Sequence, residues 1–228
     1  MPQPKNNPLI ELLITIVIPS VILMKLSDPD NLGSVNALLV ALAFPLVWGL
    51  RDLLMHRKVN LFAVFGLIST LLTGGIGLFQ LDTQWLAIKE AAIPALIGLA
   101  VAISAHTPYP LIRVLLFSPK LMDVERIQTS LDQRGNRDAF ESRLKTATWM
   151  LSGSFLFSAI MNYLLATWVV TSPTGTAAFN EELGRMTLLS YPVIALPATL
   201  IMAAVLYYLS RATQQLAGLK LADALKIS

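Results

Sequence analysis

Hydrophobic residues in this chain fall in runs of about twenty, each closed by a short polar or charged interval. The pattern predicts six helices that can cross a bilayer, over 8–26, 35–54, 61–81, 85–105, 147–170 and 186–209. A crossing helix needs about 20 mostly apolar residues. A closed β-barrel, the other way to satisfy backbone groups in lipid, would show alternation in segments of about ten residues, and none is present. The expected fold class is all-α, a polytopic transmembrane helical bundle forming a single membrane domain over 1–228. The first run is longer than a signal-peptide core and no small-x-small cleavage site follows it, so it reads as a retained span.

The polar intervals set the orientation. Between Leu53 and Pro94 one crossing shows both flanks: the basic turn His56-Arg57-Lys58, the apolar run to Leu81, then Asp82-Thr83-Gln84, Trp85 and Lys89-Glu90. With the N-terminus in the cytoplasm, 14 of the 17 Lys and Arg residues fall on inner segments. Only Lys25, Lys89 and Arg185 fall outside. That bias places both termini in the cytoplasm. Trp48, Trp149, Tyr207 and Tyr208 near inner ends, and Trp85, Trp168 and Tyr191 near outer ends, fit an interfacial aromatic belt.

The longest polar stretch, 106–146, reads as a cytoplasmic helical hairpin. Ser118 with Pro119 resembles a helix start, and Val124, Ile127 and Leu131 repeat at helical spacing. Gly135 is a stop, Asn136 a new cap, and Phe140 and Leu144 lead into the fifth span. Its seven basic and five acidic residues suit anionic headgroups weakly, or simply follow the topology. The outer loop 171–184 is rich in small polar residues and reads as flexible. The tail 210–228 reads as a cytoplasmic surface helix continuing the sixth span.

Composition agrees with the pattern: 55% of the 228 residues are hydrophobic and 14% are charged, against about 25% charged in soluble domains. With no cysteine, disulfide scaffolds, thiolate metal sites and cysteine nucleophiles are excluded. No phosphate loop, His-Glu-x-x-His or Gly-x-Ser-x-Gly occurs, so no catalytic residue, cofactor or metal site is expected and the chain is not read as an enzyme. The basic residues track topology, which leaves nucleic-acid binding without support. The expected partner is the lipid bilayer, with a homo-oligomer left open.

The polar residues inside apolar runs carry what chemistry there is. Glu11 lies near the inner end of the first span, where it can reach headgroups or pair with Lys5. Lys89 and Glu90 lie about a turn into the fourth span. Lys89 can snorkel outward, whereas Glu90 is either a bundle-facing proton or cation site or half of a boundary pair. Asn162 sits mid-span in the fifth helix behind Ser154 and Ser158. Gly66, Thr70 and Gly74 repeat at the same spacing in the third, which suits close helix packing. Arg51-Asp52 reads as an anchor. Pro19, Pro45, Pro94, Pro192 and Pro197 each remove a helical donor. Glu11 with Pro19 and Glu90 with Pro94 leave a 3+3 inverted repeat open.

One set of motifs has a family likeness. The second span ending at His56-Arg57-Lys58-Val59, the third closing on Leu72-Thr73-Gly74-Gly75-Ile76-Gly77-Leu78-Phe79, then Asp82, Trp85 and Lys89, resembles the intracellular septation protein A family over roughly residues 8–117. The resemblance implies a small bacterial inner-membrane protein with a non-enzymatic role in envelope maintenance or division, working through other envelope or division proteins. It transfers no site residues. Where that family has Trp-Lys-Pro, this chain has Ile88-Lys89-Glu90 with the proline delayed to Pro94, and its second half is longer. The alternative, drawn from Glu11, Lys89, Glu90 and Asn162 among proline-broken spans, is a transporter or permease for an ion or small molecule with a site in the bundle interior.

Overall fold

The computed structural model describes residues 8–56, 61–107, 110–116 and 123–219. Among them every regular element is helical: α1 (Pro8–Leu12), a π-helical turn (Leu13–Val17), α2 (Ile18–Lys25), α3 (Gly33–His56), α4 (Leu61–Leu78), α5 (Thr83–Ser104), α6 (Leu111–Leu116), α7 (Val124–Gln133), α8 (Arg137–Val169), α9 (Ala177–Ser190), a second π-helical turn (Tyr191–Ala195) and α10 (Leu196–Ala217). Among the described residues four stretches are long and apolar enough to cross a membrane, Gly33–Arg51, Thr83–Ser104, Arg137–Val169 and Ala177–Ala217, and Val64–Leu78 is apolar but shorter. These lengths mark a membrane protein. Its surface agrees: Leu96, Leu99 and Ile103 on α5 and Leu196 and Leu200 on α10 are large apolar side chains left exposed, as lipid-facing positions are.

Span bounds differ from those the hydrophobic runs predict. The first run is not one α-helix. Pro19 has no N–H for the carbonyl of Thr15, and the ladder widens to the π turn Leu13–Val17 just before it. The last run breaks the same way around Pro192. The fifth helix begins at Arg137, ten residues before the predicted span, because the Phe140–Leu144 stretch joins it without interruption.

The loop 171–184 is the clearest correction. It is a short turn followed by a helix that runs from Ala177. Thr176 caps that helix, its Oγ1 accepting from Phe179 N–H at 3.1 Å. Glu182 accepts from the N–H groups of Thr171 (2.9 Å) and Ser172 (2.8 Å), so the turn is tied down rather than loose.

The chain forms two compact units, residues 1–92 with 160–193, and 93–159 with 194–228. In the first, α2 lies between α3 and α9, and α3 packs on α4. Its interior is made of small residues and a few large ones: Ala37, Ala41, Leu38, Ile76, Leu86 and Phe179. Gly77 shows how tight it is, since a Cβ there would stand 2.6 Å from Leu38 Cδ2. Gly74 is similar, 2.8 Å from Leu42 Cδ1, whereas Gly66 faces open space, so only one glycine of the Gly66–Thr70–Gly74 repeat serves close packing.

The second unit is organised around the predicted hairpin. Asp123 caps α7 by accepting from Arg126 N–H at 3.2 Å, and Gly135 turns the chain at φ +65°. The Ser118–Pro119 start lies outside the described residues. Ile127, Leu131, Phe140 and Leu144 are buried in one core with Val205, Leu209 and Ala217 of α10. The apolar face of α7 is therefore covered by this chain and not offered to lipid. Ser130 Oγ donates to the carbonyl of Ala217 at 2.5 Å, and Asn136 Nδ2 to that of Leu216 at 3.0 Å. Asn136 stands directly before α8, its carbonyl accepting from Phe140 N–H at 3.0 Å, while its side chain ties α10. That helix reaches Ala217, where Gly218 at φ +71° closes it.

Candidate functional site

Lys89 is placed by the apolar run that carries it. It lies six residues into α5, about 9 Å along the helix axis. Leu86 and Ala87 beside it are buried, and Trp85 and Ile88 are exposed. Helical geometry then turns Lys89 inward, and only 9% of it is exposed. The outward reach expected of this lysine does not occur, because α4 supplies oxygens at closer range. Nζ donates to Thr73 Oγ1 at 2.7 Å and to Ser69 Oγ at 3.2 Å, with the Ser69 carbonyl at 3.5 Å. Glu90 completes the set at 2.6 Å, so the two neighbours satisfy each other despite being adjacent on a helix.

A charge this far inside an apolar helix must be paired and hydrogen-bonded to persist. Both conditions hold. Thr73 is the element that makes this local: one turn after Ser69, it faces α5 through the same side of α4. Glu90 keeps 24% of its side chain exposed, so one side of the ion pair is open.

It opens onto a cavity of about 160 Å³ walled by five helical segments. Thr15, Pro19 and Ser20 come from the first span, Ala41 and Pro45 from α3, Ser69, Thr70 and Thr73 from α4, Lys89 and Glu90 from α5, and Leu183 and Thr187 from α9. Small side chains and two prolines, Pro19 and Pro45, are among the lining residues. Ser20 is 1% exposed and its Oγ has no hydrogen-bond partner. Few buried polar atoms in proteins are left so, and one lining a cavity that also holds an ion pair points to a guest or to water.

Of the four residues singled out from sequence, two meet here. Glu11 is exposed on α1 and does not line the cavity, and Lys5, its suggested partner, lies outside the described residues. Asn162 is half-buried on α8 and does not line the cavity either. The missed residues are hydroxyls: Thr15, Ser20, Ser69, Thr70, Thr73 and Thr187. Singly each is an ordinary membrane-helix residue. Two signals were available, the Ser69-Thr70-x-x-Thr73 cluster in an otherwise apolar helix and the placement of Thr15 four residues before Pro19.

Other charged groups are held in pairs away from this site. Arg113 pairs with Glu141, and Arg137 with Asp132 at 3.2 Å. Three of the four aromatic residues expected near the inner face carry basic partners, Arg51 over Trp48 at 5.2 Å, Arg143 over Tyr208 at 5.7 Å and Arg211 over Tyr207 at 5.8 Å. Such pairs suit a headgroup level, where ring and guanidinium are each half-solvated.

No family model, curated protein or solved structure matches this chain.

Proposed function

We propose that this chain is a multi-pass membrane protein that lets a small polar solute or ion cross the bilayer, without covalent chemistry, through the cavity around Lys89 and Glu90. The observation that carries the reading is the cavity itself: an ion pair and six hydroxyl side chains gathered by segments whose outer faces are apolar. A protein that served only as a packed scaffold would gain stability by filling this space with leucine. Proline in three of the surrounding helices fits a wall that bends, since each proline removes one hydrogen bond that resists bending.

The absence of cysteine makes the test direct. Thr70→Cys and Thr187→Cys place single thiols in the cavity, and Leu71→Cys places one on an exposed apolar face. A membrane-impermeant thiol reagent, added from either side, labels the first two and spares the third if water reaches the cavity. Unlabelled Thr70→Cys and Thr187→Cys would remove the route.

A second reading is envelope maintenance or division in a bacterial inner membrane, through partner proteins. What favours it is that the two motif segments behind the family likeness meet, with Thr73 taking the Lys89 hydrogen bond at 2.7 Å. Deleting the gene and finding normal division and envelope integrity under osmotic stress counts against it.

A further inference from the structure

The lining of the Lys89–Glu90 cavity is rich in acceptors and poor in donors. A hydroxyl has one hydrogen to give and two lone pairs to receive with. Thr15 gives its hydrogen to the carbonyl of Glu11 at 2.7 Å, Thr70 to Gly66 at 2.9 Å, Thr73 to Ser69 at 3.0 Å and Thr187 to Leu183 at 2.9 Å. The oxygens of Thr15, Thr70 and Thr187 are left as open acceptors, and that of Thr73 already receives a Lys89 hydrogen. Lys89 has three hydrogens, and Glu90, Thr73 and Ser69 take them. The backbone tilts the balance the same way. Pro19, Pro45 and Pro94 have no N–H for the carbonyls of Thr15, Ala41 and Glu90, and all three of those residues line the cavity. Ser20 and Ser69 stand apart: Ser20 Oγ has no partner among the described residues, and Ser69 Oγ accepts from Lys89 without committing its own hydrogen, so both can still donate.

Three kinds of guest meet this lining differently. An anion finds the ammonium hydrogens engaged and a carboxylate beside them. A cation meets the like charge of Lys89, and nothing balances the charge it adds to a site whose own charges cancel. The desolvation penalty for an uncompensated ion in such surroundings is heavy. An uncharged molecule with several donors meets neither obstacle. It fills acceptors that otherwise have no hydrogen, and it can accept from Ser20.

We infer that the cavity takes a small uncharged solute bearing several O–H or N–H donors, a polyol or a simple amide. This rests on the transport reading above and adds the class of guest. Selection follows from donor count: the guest's hydrogens meet the oxygens of Thr15, Thr70 and Thr187, which Lys89 does not claim.

The test uses the purified full chain in liposomes, with glycerol and urea as the uncharged probes, lactate as the anion and potassium as the cation. Glycerol or urea is expected to cross several times faster than in protein-free liposomes, with no protein-dependent movement of either ion. Thr70→Val keeps the shape of Thr70 and removes its acceptor. It is expected to lower the protein-dependent flux about fivefold, the loss of one hydrogen bond, and Thr70→Ser is expected to retain it. Lactate or potassium crossing faster than glycerol and urea would overturn the inference while leaving a transport protein. No movement of any probe would overturn both. An unchanged flux in folded Thr70→Val would remove this cavity from the path.

Discussion

Replacing Lys89 with methionine tests the central arrangement most sharply. The variant keeps an unbranched side chain of similar length and deletes the charge. Glu90 then loses the ammonium at 2.6 Å, and Thr73 Oγ1 and Ser69 Oγ lose a donor at 2.7 and 3.2 Å. Breaking a buried pair from one side costs about 3–5 kcal/mol, because the remaining charge is left uncompensated. Glu90 retains 24% exposure, so water recovers part of this and the lower end, about 3 kcal/mol, applies. For a chain of this length each kcal/mol shifts the midpoint by about 2–4 °C, which gives a Tm lowered by roughly 6–12 °C in detergent. Glu90→Gln is milder, since the amide oxygen still accepts and no charge is stranded without Ser69 and Thr73 around it. The decisive measurement is the double variant. Lys89→Met with Glu90→Gln leaves no buried charge, so it should be more stable than Lys89→Met alone, with a coupling energy of about 1–3 kcal/mol. Tm values that add simply, or a Lys89→Met variant within a degree or so of the parent, would refute the claim that these side chains form one buried polar unit.

Three further changes probe the surrounding structure. Gly184→Ala sets a Cβ 2.8 Å from the carbonyl oxygen of Ser20, backbone that cannot rotate aside, and should cost about 1–3 kcal/mol in thermal unfolding, whereas Gly66→Ala meets nothing within 4 Å and should be neutral or stabilising by up to about 1 kcal/mol. Glu182→Ala removes the acceptor for the N–H groups of Thr171 and Ser172, and hydrogen exchange at these two amides should rise while that of α4 stays unchanged. Ile127→Ala hollows the core that α7 shares with α10, and should cost about 2–4 kcal/mol and open the 123–133 segment to limited proteolysis; a protected segment would mean that α7 is not held by its apolar face.

The helical class is plain in the sequence because lipid leaves few options: runs of twenty apolar residues have nowhere to satisfy their backbone except in helices. The hairpin at 123–144 is legible for a related reason. Ile127 and Leu131 on one side, and Phe140 and Leu144 after the glycine turn, repeat at a period that only helices share, and all four are buried. The helix at Ala177–Ser190 is harder. Glu181, Glu182, Gly184 and Arg185 dilute its hydropathy, so a window average reads loop. Yet Phe179, Leu183 and Met186 recur at intervals of four and three behind a threonine cap, and all three are buried. Periodicity carried the information that mean hydropathy erased. Span ends fail for another reason, since an α-helix runs on past the apolar stretch wherever polar residues still favour it, as from Arg137 to Thr146.

The site divides along the same line between single-residue and pattern signals. Lys89 and Glu90 announce themselves, because a charge in an apolar helix needs a reason. Glu11 and Asn162 look equally marked in sequence, and what separates them from Lys89 is that neither lines the cavity. Asn162 follows serines on its own helix, and Ser158 there donates back to Ser154 at 3.1 Å, a bond made within one helix. Lys89 finds Ser69 and Thr73 on another helix, a pairing whose 16- and 20-residue separations no local pattern encodes. The hydroxyls are quieter still, and their meaning is collective. Each threonine hydrogen goes to its own helix, and only when three such helices face one space does the habit become a property. The cavity acquires a lining of oxygens whose hydrogens point elsewhere. Prolines at 19, 45 and 94 act in the same sense, each withholding a donor from a residue on that wall. Preference for a donor-bearing guest thus needs no dedicated binding motif. It arises from rules that every membrane helix obeys, applied to helices that happen to enclose a common space.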